Sequence, residues 1–230
     1  MTQLEWPKTP EDVERLNDRL ASEHPIDDYY ERSPGVIRWI QGRRLRLIRE
    51  MVGARAGMRI LEVGSGGGQV LRMFPRAKLT ALDVSDVYLD TARKNLSGFD
   101  VEFVKGELPA AGLPESSFDC VICTEVLEHT SQPSEILTAI RRVLVPDGTA
   151  VITVPVDPLI DRLKAIVRRT PVGWILGSRV NWGGDKYHLH KWWPWQFERL
   201  LERDFVVLRR ASVPTRLTPL HACFLCRRKP

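Results

Sequence analysis

The sequence predicts an α/β fold: a doubly wound, mostly parallel seven-stranded sheet with one antiparallel strand in an edge hairpin, preceded by a helical extension. Three observations predict it. From Met58 to about Pro155, short β-branched runs alternate with stretches of helical period, as parallel strands linked by helical crossovers require. The first run, Met58 to Val63, passes into four glycines within five positions, Gly64 and Gly66 to Gly68. Near the end, Phe205 to Arg209 and Leu220 to Cys226 have no helix between them, so they pair as a hairpin. Residues 1–57 then form a helical cap and 58–230 the main domain, with a lid-like insertion at 156–193.

Each element has a local reason. Thr9-Pro10-Glu11-Asp12 supplies a capping hydroxyl, a proline in the first turn and an acid three residues after the cap, predicting a helix to about His24. A second helix starts at Ser33-Pro34 and runs to near Gly57, with Ile37, Ile40, Leu47, Ile48, Met51 and Val52 on its apolar face. Asp27, Asp28, Tyr29 and Tyr30 occupy the connector, where a loop reaches a ligand. After the glycines, Gln69-Val70-Leu71 reads as a helix start. Lys78 to Val84 is the second strand, and Ser85 with Asp86 caps the next helix, to near Leu96. Val101 to Val104 and Phe118 to Thr124 are strands three and four, Gln132 to Leu144 a helix, and Thr149 to Val154 strand five. The alternation then breaks down: Pro158, Pro171, Gly173, Gly177, Gly183 and Gly184 interrupt residues 156–187. A last helix spans about Pro194 to Glu202.

With 43% hydrophobic and 27% charged residues, the composition is that of a soluble globular protein. No apolar run approaches the about 20 residues of a membrane span, and Met1 to Glu14 is polar, so a cytoplasmic location is the expectation. The net charge of +5 is concentrated. Arg38, Arg43, Arg44, Arg46, Arg49 and Arg55 crowd one segment; Arg162, Lys164, Arg168, Arg169 and Arg179 crowd another. Partners compatible with such clusters are an acidic substrate, an anionic membrane surface or RNA. Two C-x-x-C pairs, Cys120/Cys123 and Cys223/Cys226, have a spacing found in zinc sites but lie inside strands. Residues three apart on a strand point to opposite faces, so neither pair chelates one ion; buried thiols are expected.

The glycine stretch fits Glu-x-Gly-x-Gly-x-Gly, with Glu62, Gly64, Gly66 and Gly68. A strand, a glycine turn and a helix start cradle a nucleotide-like ligand beyond the strand's carboxyl end. No Lys-Ser or Lys-Thr comes after it to hold a triphosphate, and Glu62 would repel pyrophosphate. An acid there suits an ammonium or sulfonium group. Asp83, 19 positions past Gly64, ends the second strand, where a carboxylate accepts ribose hydroxyls.

With these residues the chain resembles the Rossmann-like class I S-adenosylmethionine-dependent methyltransferases, and most closely those with the type-11 methyltransferase domain. Gly106-Glu107-Leu108-Pro109, Ser117-Phe118-Asp119, Glu125-Val126-Leu127-Glu128-His129 and the turn Pro146-Asp147-Gly148-Thr149 carry the same resemblance. It implies S-adenosyl-L-methionine as cofactor and an enzyme that methylates. It implies that Gly64, Ser65 and Gly66 face the methionine part and ribose, with Glu62 near the ammonium group. Asp83 would bind the ribose, Val84 pack on the adenine, Glu107 meet its amino group, Leu108 its ring edge through a backbone N–H, and Thr124 the methionine part through its backbone. Glu107 stands where the family more often has Asp.

An alcohol or phenol acceptor also benefits from a base, and histidine, with an unperturbed pKa of about 6.5, suits the task. The candidates are His190, His188 and His129; Trp192, Trp193 and Trp195 come after the first two and can wall an acceptor pocket. Glu125, Glu128 and His129 also look like the E-x-x-E-H of ubiquinone-type O-methyltransferases and of small-RNA 3′-terminal ribose methyltransferases, where a later histidine completes a magnesium site. Many relatives with this run bind no metal, so none is assigned. Residues 158–180 carry Leu159, Leu163, Ile166 and Val167 opposite Arg162, Lys164, Arg168 and Arg169, then Trp174, Ile175 and Leu176. They read as a substrate lid, or as a peripheral membrane contact. The expected function is O-methylation of a small or lipid-linked acceptor. The alternatives are a divalent-metal-dependent RNA methyltransferase and a catalytically silent cofactor-binding or regulatory subunit. Oligomeric state leaves no mark in the sequence.

Overall fold

The central strands are apolar on both faces, and burial on both faces is what a parallel sheet covered by helices demands. The computed structural model describes residues 10–23, 33–170 and 188–229. Its strands are β1 (Arg59–Val63), β2 (Lys78–Asp83), β3 (Val101–Lys105), β4 (Phe118–Thr124), β5 (Leu144–Pro155), β6 (Phe205–Pro214) and β7 (Pro219–Arg228). They form one sheet in the order β3-β2-β1-β4-β5-β7-β6. β1 to β5 pair in parallel; β7 runs antiparallel to both its neighbours. The doubly wound sheet with a closing hairpin is therefore as the sequence predicts. The reversed strand is β7, one position in from the edge, and β6 takes the edge itself.

The helices described are α1 (Pro10–Glu23), α2 (Gly35–Val52), α3 (Asp86–Asn95), α4 (Pro133–Val143), α5 (Asp157–Arg168) and α6 (Pro194–Leu201). Side chains alternate across the strands, so the sheet splits the core in two. Leu61, Val121, Ile152 and Phe224 meet Leu137 and Ile140 of α4 and Phe197 of α6 on one face. Ile60, Ile122 and Val151 meet Ile48 and Met51 of α2 and Ala92 of α3 on the other. The cysteines obey the same alternation: Cys123 and Cys226 lie on the first face, Cys120 and Cys223 on the second, all four buried and unbridged.

α1 lies against α3 at the carboxyl edge of the sheet. Asp18 accepts from the Ser85 hydroxyl at 2.5 Å, and Lys105 bridges Glu14 and Asp86 at 2.6 Å each. Thr9, His24 and the acidic-tyrosine connector 27–30 lie outside the described residues, as do Trp174, Ile175, Leu176 and Arg179 of the insertion.

Several boundaries differ from the sequence expectation, each for a local reason. α2 ends at Val52, not near Gly57, because Gly53 adopts the left-handed conformation (φ 54°) and donates to the Arg49 carbonyl. β5 begins at Leu144, so Pro146-Asp147-Gly148 is a bulge within it: Phe118 pairs with Leu144 and Cys120 with Thr149. The helix expected at Gln69-Val70-Leu71 is only a 3₁₀ turn, Leu71–Met73. Pro75 disfavours helical geometry at the residue before it, and Phe74 sits at φ −123°, ψ 56°.

Candidate active site

The carboxyl ends of β1, β2, β4 and β5 converge on one mouth, and the loops leaving those strands build the site. After β1, Gly64 and Ser65 donate their N–H groups to the Leu82 carbonyl at 2.8 and 3.0 Å, folding the loop back over β2. Gly64 has φ 67°, and a Cβ there would lie 2.4 Å from Val126 Cγ2, so only glycine fits.

Glu62 sits beneath this loop, 1% exposed. It accepts from the Leu71 N–H, while its Oε2 has no partner among the described residues. Burial pushes its carboxyl well above the usual range, Asp83 adds to this, and Arg44 opposes it. A buried carboxyl of this kind ionises when a cationic group arrives. The short 3₁₀ turn lacks the aligned peptides of a full helix N-terminus, which removes the usual device for an anionic pyrophosphate.

Asp83, at the end of β2, accepts from Gly66 N–H at 2.8 Å and Ser85 N–H at 3.0 Å. Its carboxylate fastens the glycine loop to β2, and both carboxylate oxygens retain acceptor capacity for a ribose. Burial nonetheless raises its pKa, opposed by these N–H donors. Helix capping falls to Ser85, whose Oγ accepts from Tyr88 N–H. Val84 beside it is half-buried. After β3, Gly106 donates to the Asp83 carbonyl at 2.9 Å; Glu107 is exposed and Leu108 buried. Thr124 ends β4 half-buried, paired with Thr153. Ser65 Oγ is buried without a partner among the described residues.

After β4 the chain turns through Glu125, a non-glycine residue at φ 56°. Its carboxylate meets the Thr153 hydroxyl (2.8 Å), His221 Nδ1 (3.0 Å) and the buried Arg44 guanidinium (3.3 Å). Burial alone would raise its pKa, but His221 and Arg44 hold it below the usual carboxylate range. Glu125 is thus part of an anchoring network, separate from the Glu128 and His129 it stands beside in the sequence. Glu128, three positions on in the turn Leu127–His129, is 1% exposed, and neither of its carboxylate oxygens has a partner among the described residues. Burial, with the nearby Glu125 charge, pushes it well above the usual range.

The three histidine candidates separate by their surroundings. His188 Nδ1 lies 2.8 Å from Asp157 Oδ2, and Asp157 is 1% exposed at the start of α5. A carboxylate on Nδ1 leaves Nε2 as the lone-pair nitrogen. The His129 and His188 rings meet edge-on at 4.8 Å, and one ligand atom each of Glu128, His129 and His188 falls within 4.8 Å of the others. His190 instead stacks on Trp192 at 5.0 Å, its Nε2 buried without a partner among the described residues. The Glu128 carbonyl accepts from Leu189 and His190 N–H, clamping this segment onto the turn.

Sequence reasoning does not find Asp157, Arg44 and His221. Asp157 carries a legible signal, an acid directly past strand five at the ligand end of the sheet. Arg44 and His221 carry none, since one is an arginine among many and the other lies 96 residues from its partner.

Residues 61–152 match the family described as a methyltransferase domain. The chain is 34% identical over 131 residues to the mitochondrial ubiquinone biosynthesis O-methyltransferase of Schizosaccharomyces pombe, covering 51% of this chain and 47% of that protein. It is 27% identical to the demethylmenaquinone methyltransferase of Renibacterium salmoninarum over 92% of this chain and 96% of the relative. For the first of the curated relatives, all ubiquinone biosynthesis O-methyltransferases, the match spans about half of their length. In structure it is similar to the N-methyltransferase NodS from Bradyrhizobium japonicum in complex with S-adenosyl-L-homocysteine, with TM-score 0.68 and 16% identity over 94% of this chain and 97% of that one.

Proposed function

We propose, from its membership of the class I S-adenosylmethionine-dependent methyltransferases with a type-11 methyltransferase domain, that this chain methylates an oxygen of a small or lipid-linked acceptor. The observation that carries the cofactor reading is Glu62: a buried carboxyl with an orphaned oxygen under a glycine loop is a cost unless a cationic ligand meets it. Glu62 takes the ammonium group, Gly64, Ser65 and Gly66 line the methionine part and ribose, and Asp83 holds the ribose. Val84, Glu107 and the Leu108 N–H border the adenine, and Thr124 the methionine part. S-adenosylmethionine supplies an already activated methyl, so the protein's main task is alignment, which can supply up to about 7–11 kcal/mol.

The acceptor reading rests on the Asp157–His188 pair. Asp157 fixes the ring so that Nε2 can hold the proton of an acceptor hydroxyl, and a bound S-adenosylmethionine would supply the methyl, with its sulfur leaving as the neutral thioether. His129, in edge contact with His188, borders the same position; His190 and Trp192 form its wall. Isothermal titration with S-adenosyl-L-homocysteine tests the cofactor half: Asp83→Ala must lose binding. A phenolic acceptor assay tests the other half: His188→Ala must lower kcat while cofactor affinity stays unchanged.

A second reading is favoured by Glu128, whose two orphaned oxygens lie beside two imidazoles. One carboxylate and two imidazoles suit a borderline divalent cation, and Asp157 behind His188 is the usual orienting partner of a ligating histidine. The ligands would be Glu128, His129 and His188, not Glu125. A bound cation would supply Lewis acidity to the acceptor oxygen, as in a metal-dependent enzyme acting on small molecules or RNA. Transfer insensitive to a chelator excludes this reading; transfer lost with chelator and restored by manganese excludes His188 as the base.

A further inference from the structure

We propose that the concavity along α6 is a binding subsite for a small organic phosphomonoester, held by its phosphoryl group. This concerns binding alone and stands whichever acceptor the mouth takes.

Lys191, Trp192, Gln196, Arg199, Leu200 and Arg203 line a cavity of about 320 Å³. Gln196, Arg199 and Arg203 recur at intervals of three and four along α6 and the turn after it, so the helical period gathers them on one face. Arg199 and Arg203 are one turn apart, and like charges at that spacing repel. Among the described residues neither guanidinium has a carboxylate partner: Glu198, on the same helix, is taken by Arg210 at 2.8 Å. Arg199 instead lies 5.1 Å over the Trp195 ring, a contact made through the face of the guanidinium and not its N–H groups. The dipole at the carboxyl end of α6 favours cations there, but it does not account for Lys191, which joins the same wall from the segment before the helix. Asp161 of α5 holds Lys191 at 2.8 Å. The Gln196 Oε1 accepts from Trp193 N–H at 2.9 Å, which leaves its NH2 as a donor.

This donor set selects the ligand. Guanidinium forks bind phosphoryl oxygens in pairs of hydrogen bonds, and three cations suit a group carrying about −1.5 to −2 charge at pH 7. Trp192 and Leu200 add an apolar part that bare orthophosphate would leave uncovered, so the phosphoryl group comes on an organic molecule. Trp192 also joins the subsite to the mouth. Its ring stacks on His190 at 5.0 Å, and the Glu128 carbonyl accepts from His190 N–H at 3.3 Å. Two sources share this chemistry: a phosphoryl group on the acceptor itself, reaching past Trp192, and a separate phosphorylated effector.

Calorimetry of the full chain with phenyl phosphate tests the subsite without turnover. Saturable binding is expected, weaker as added salt screens the charges. Arg199→Gln with Arg203→Gln should weaken it about tenfold or more. Arg43→Gln with Arg46→Gln removes the same charge from exposed positions of α2 and should leave it unchanged. Unchanged S-adenosyl-L-homocysteine binding and melting verify that both double variants fold. No saturable binding, equal weakening in both double variants, or full binding without Arg199 and Arg203 overturns the proposal. In a transfer assay, phenyl phosphate that raises the KM of a phenolic acceptor at constant kcat assigns the subsite to the acceptor. A changed kcat at constant KM assigns it to a separate effector. Phenyl phosphate binding without any methyl transfer sinks the function and leaves the subsite standing; methyl transfer without phenyl phosphate binding sinks only the subsite.

Discussion

Glu125 and Glu128 stand three positions apart on one turn, yet their surroundings drive their protonation in opposite directions. Glu125 has Arg44, His221 and Thr153 for its carboxylate and is held ionised. Its backbone, at φ 56°, costs about 1–3 kcal/mol, a strain kept at a position the network over-determines. Glu125→Ala would remove the carboxylate that the buried Arg44 and His221 meet and should destabilise the fold by about 3 kcal/mol, read by urea denaturation. Its contribution is present above the ordinary carboxylate pKa of about 4.3 and is lost as pH falls through its lowered folded value. Glu128 and Glu62 have raised folded values, so the sign reverses: what they contribute is present at low pH and lost as pH rises. Glu128→Gln should therefore melt higher than the parent at pH 8, with the difference closing toward pH 4. A Tm difference that widens on acidification would contradict this reading. In the metal reading, cation binding displaces the Glu128 proton, so manganese affinity should rise with pH.

At the scale of the element, the glycine loop is held from three sides: by the Leu82 carbonyl, by Asp83, and by close packing on Val126. Gly64→Ala meets both a clash with Val126 and an unfavourable φ, which alone costs roughly 1–2 kcal/mol. Adding Val126→Ala removes the clash and not the strain. The double variant should melt above the single and still below the parent; equal melting of single and double would mean that the clash is not what matters. α1 is attached differently. Asp18 and Glu14 reach Ser85 and Lys105 at the carboxyl edge of β2 and β3, near Asp83. Exposed ion pairs such as Lys105 with Glu14 add little to stability. Lys105→Ala should leave the melting temperature nearly unchanged and increase protease cleavage within α1.

For the whole molecule, a ligand that binds only the folded state stabilises it by mass action. S-adenosyl-L-homocysteine at a hundredfold excess over its Kd should contribute about 2.7 kcal/mol, a Tm rise of about 5–10 °C for a chain of this size. No shift would favour a scaffold that has kept the sheet without the cofactor.

The seven strands, the parallel direction of the first five, the closing hairpin and the split cysteine pairs are legible in the sequence because they rest on local periodicity and side-chain alternation. The glycine turn of the candidate site is legible for the same reason: Glu62, Gly64, Ser65, Gly66 and Asp83 are strand-end and turn residues whose spacing carries their placement. The segment after Gly68 departs from its helical expectation because Pro75 acts on the turn before it, and a 3₁₀ turn has no hydrophobic period to see. The contacts around the candidate histidines and Glu125 belong to tertiary structure alone. Asp157 behind His188 and the contacts of Glu125 with Thr153 and His221 join residues 31, 28 and 96 positions apart. A carboxylate's role follows from which groups the fold places against it, and sequence spacing does not record that.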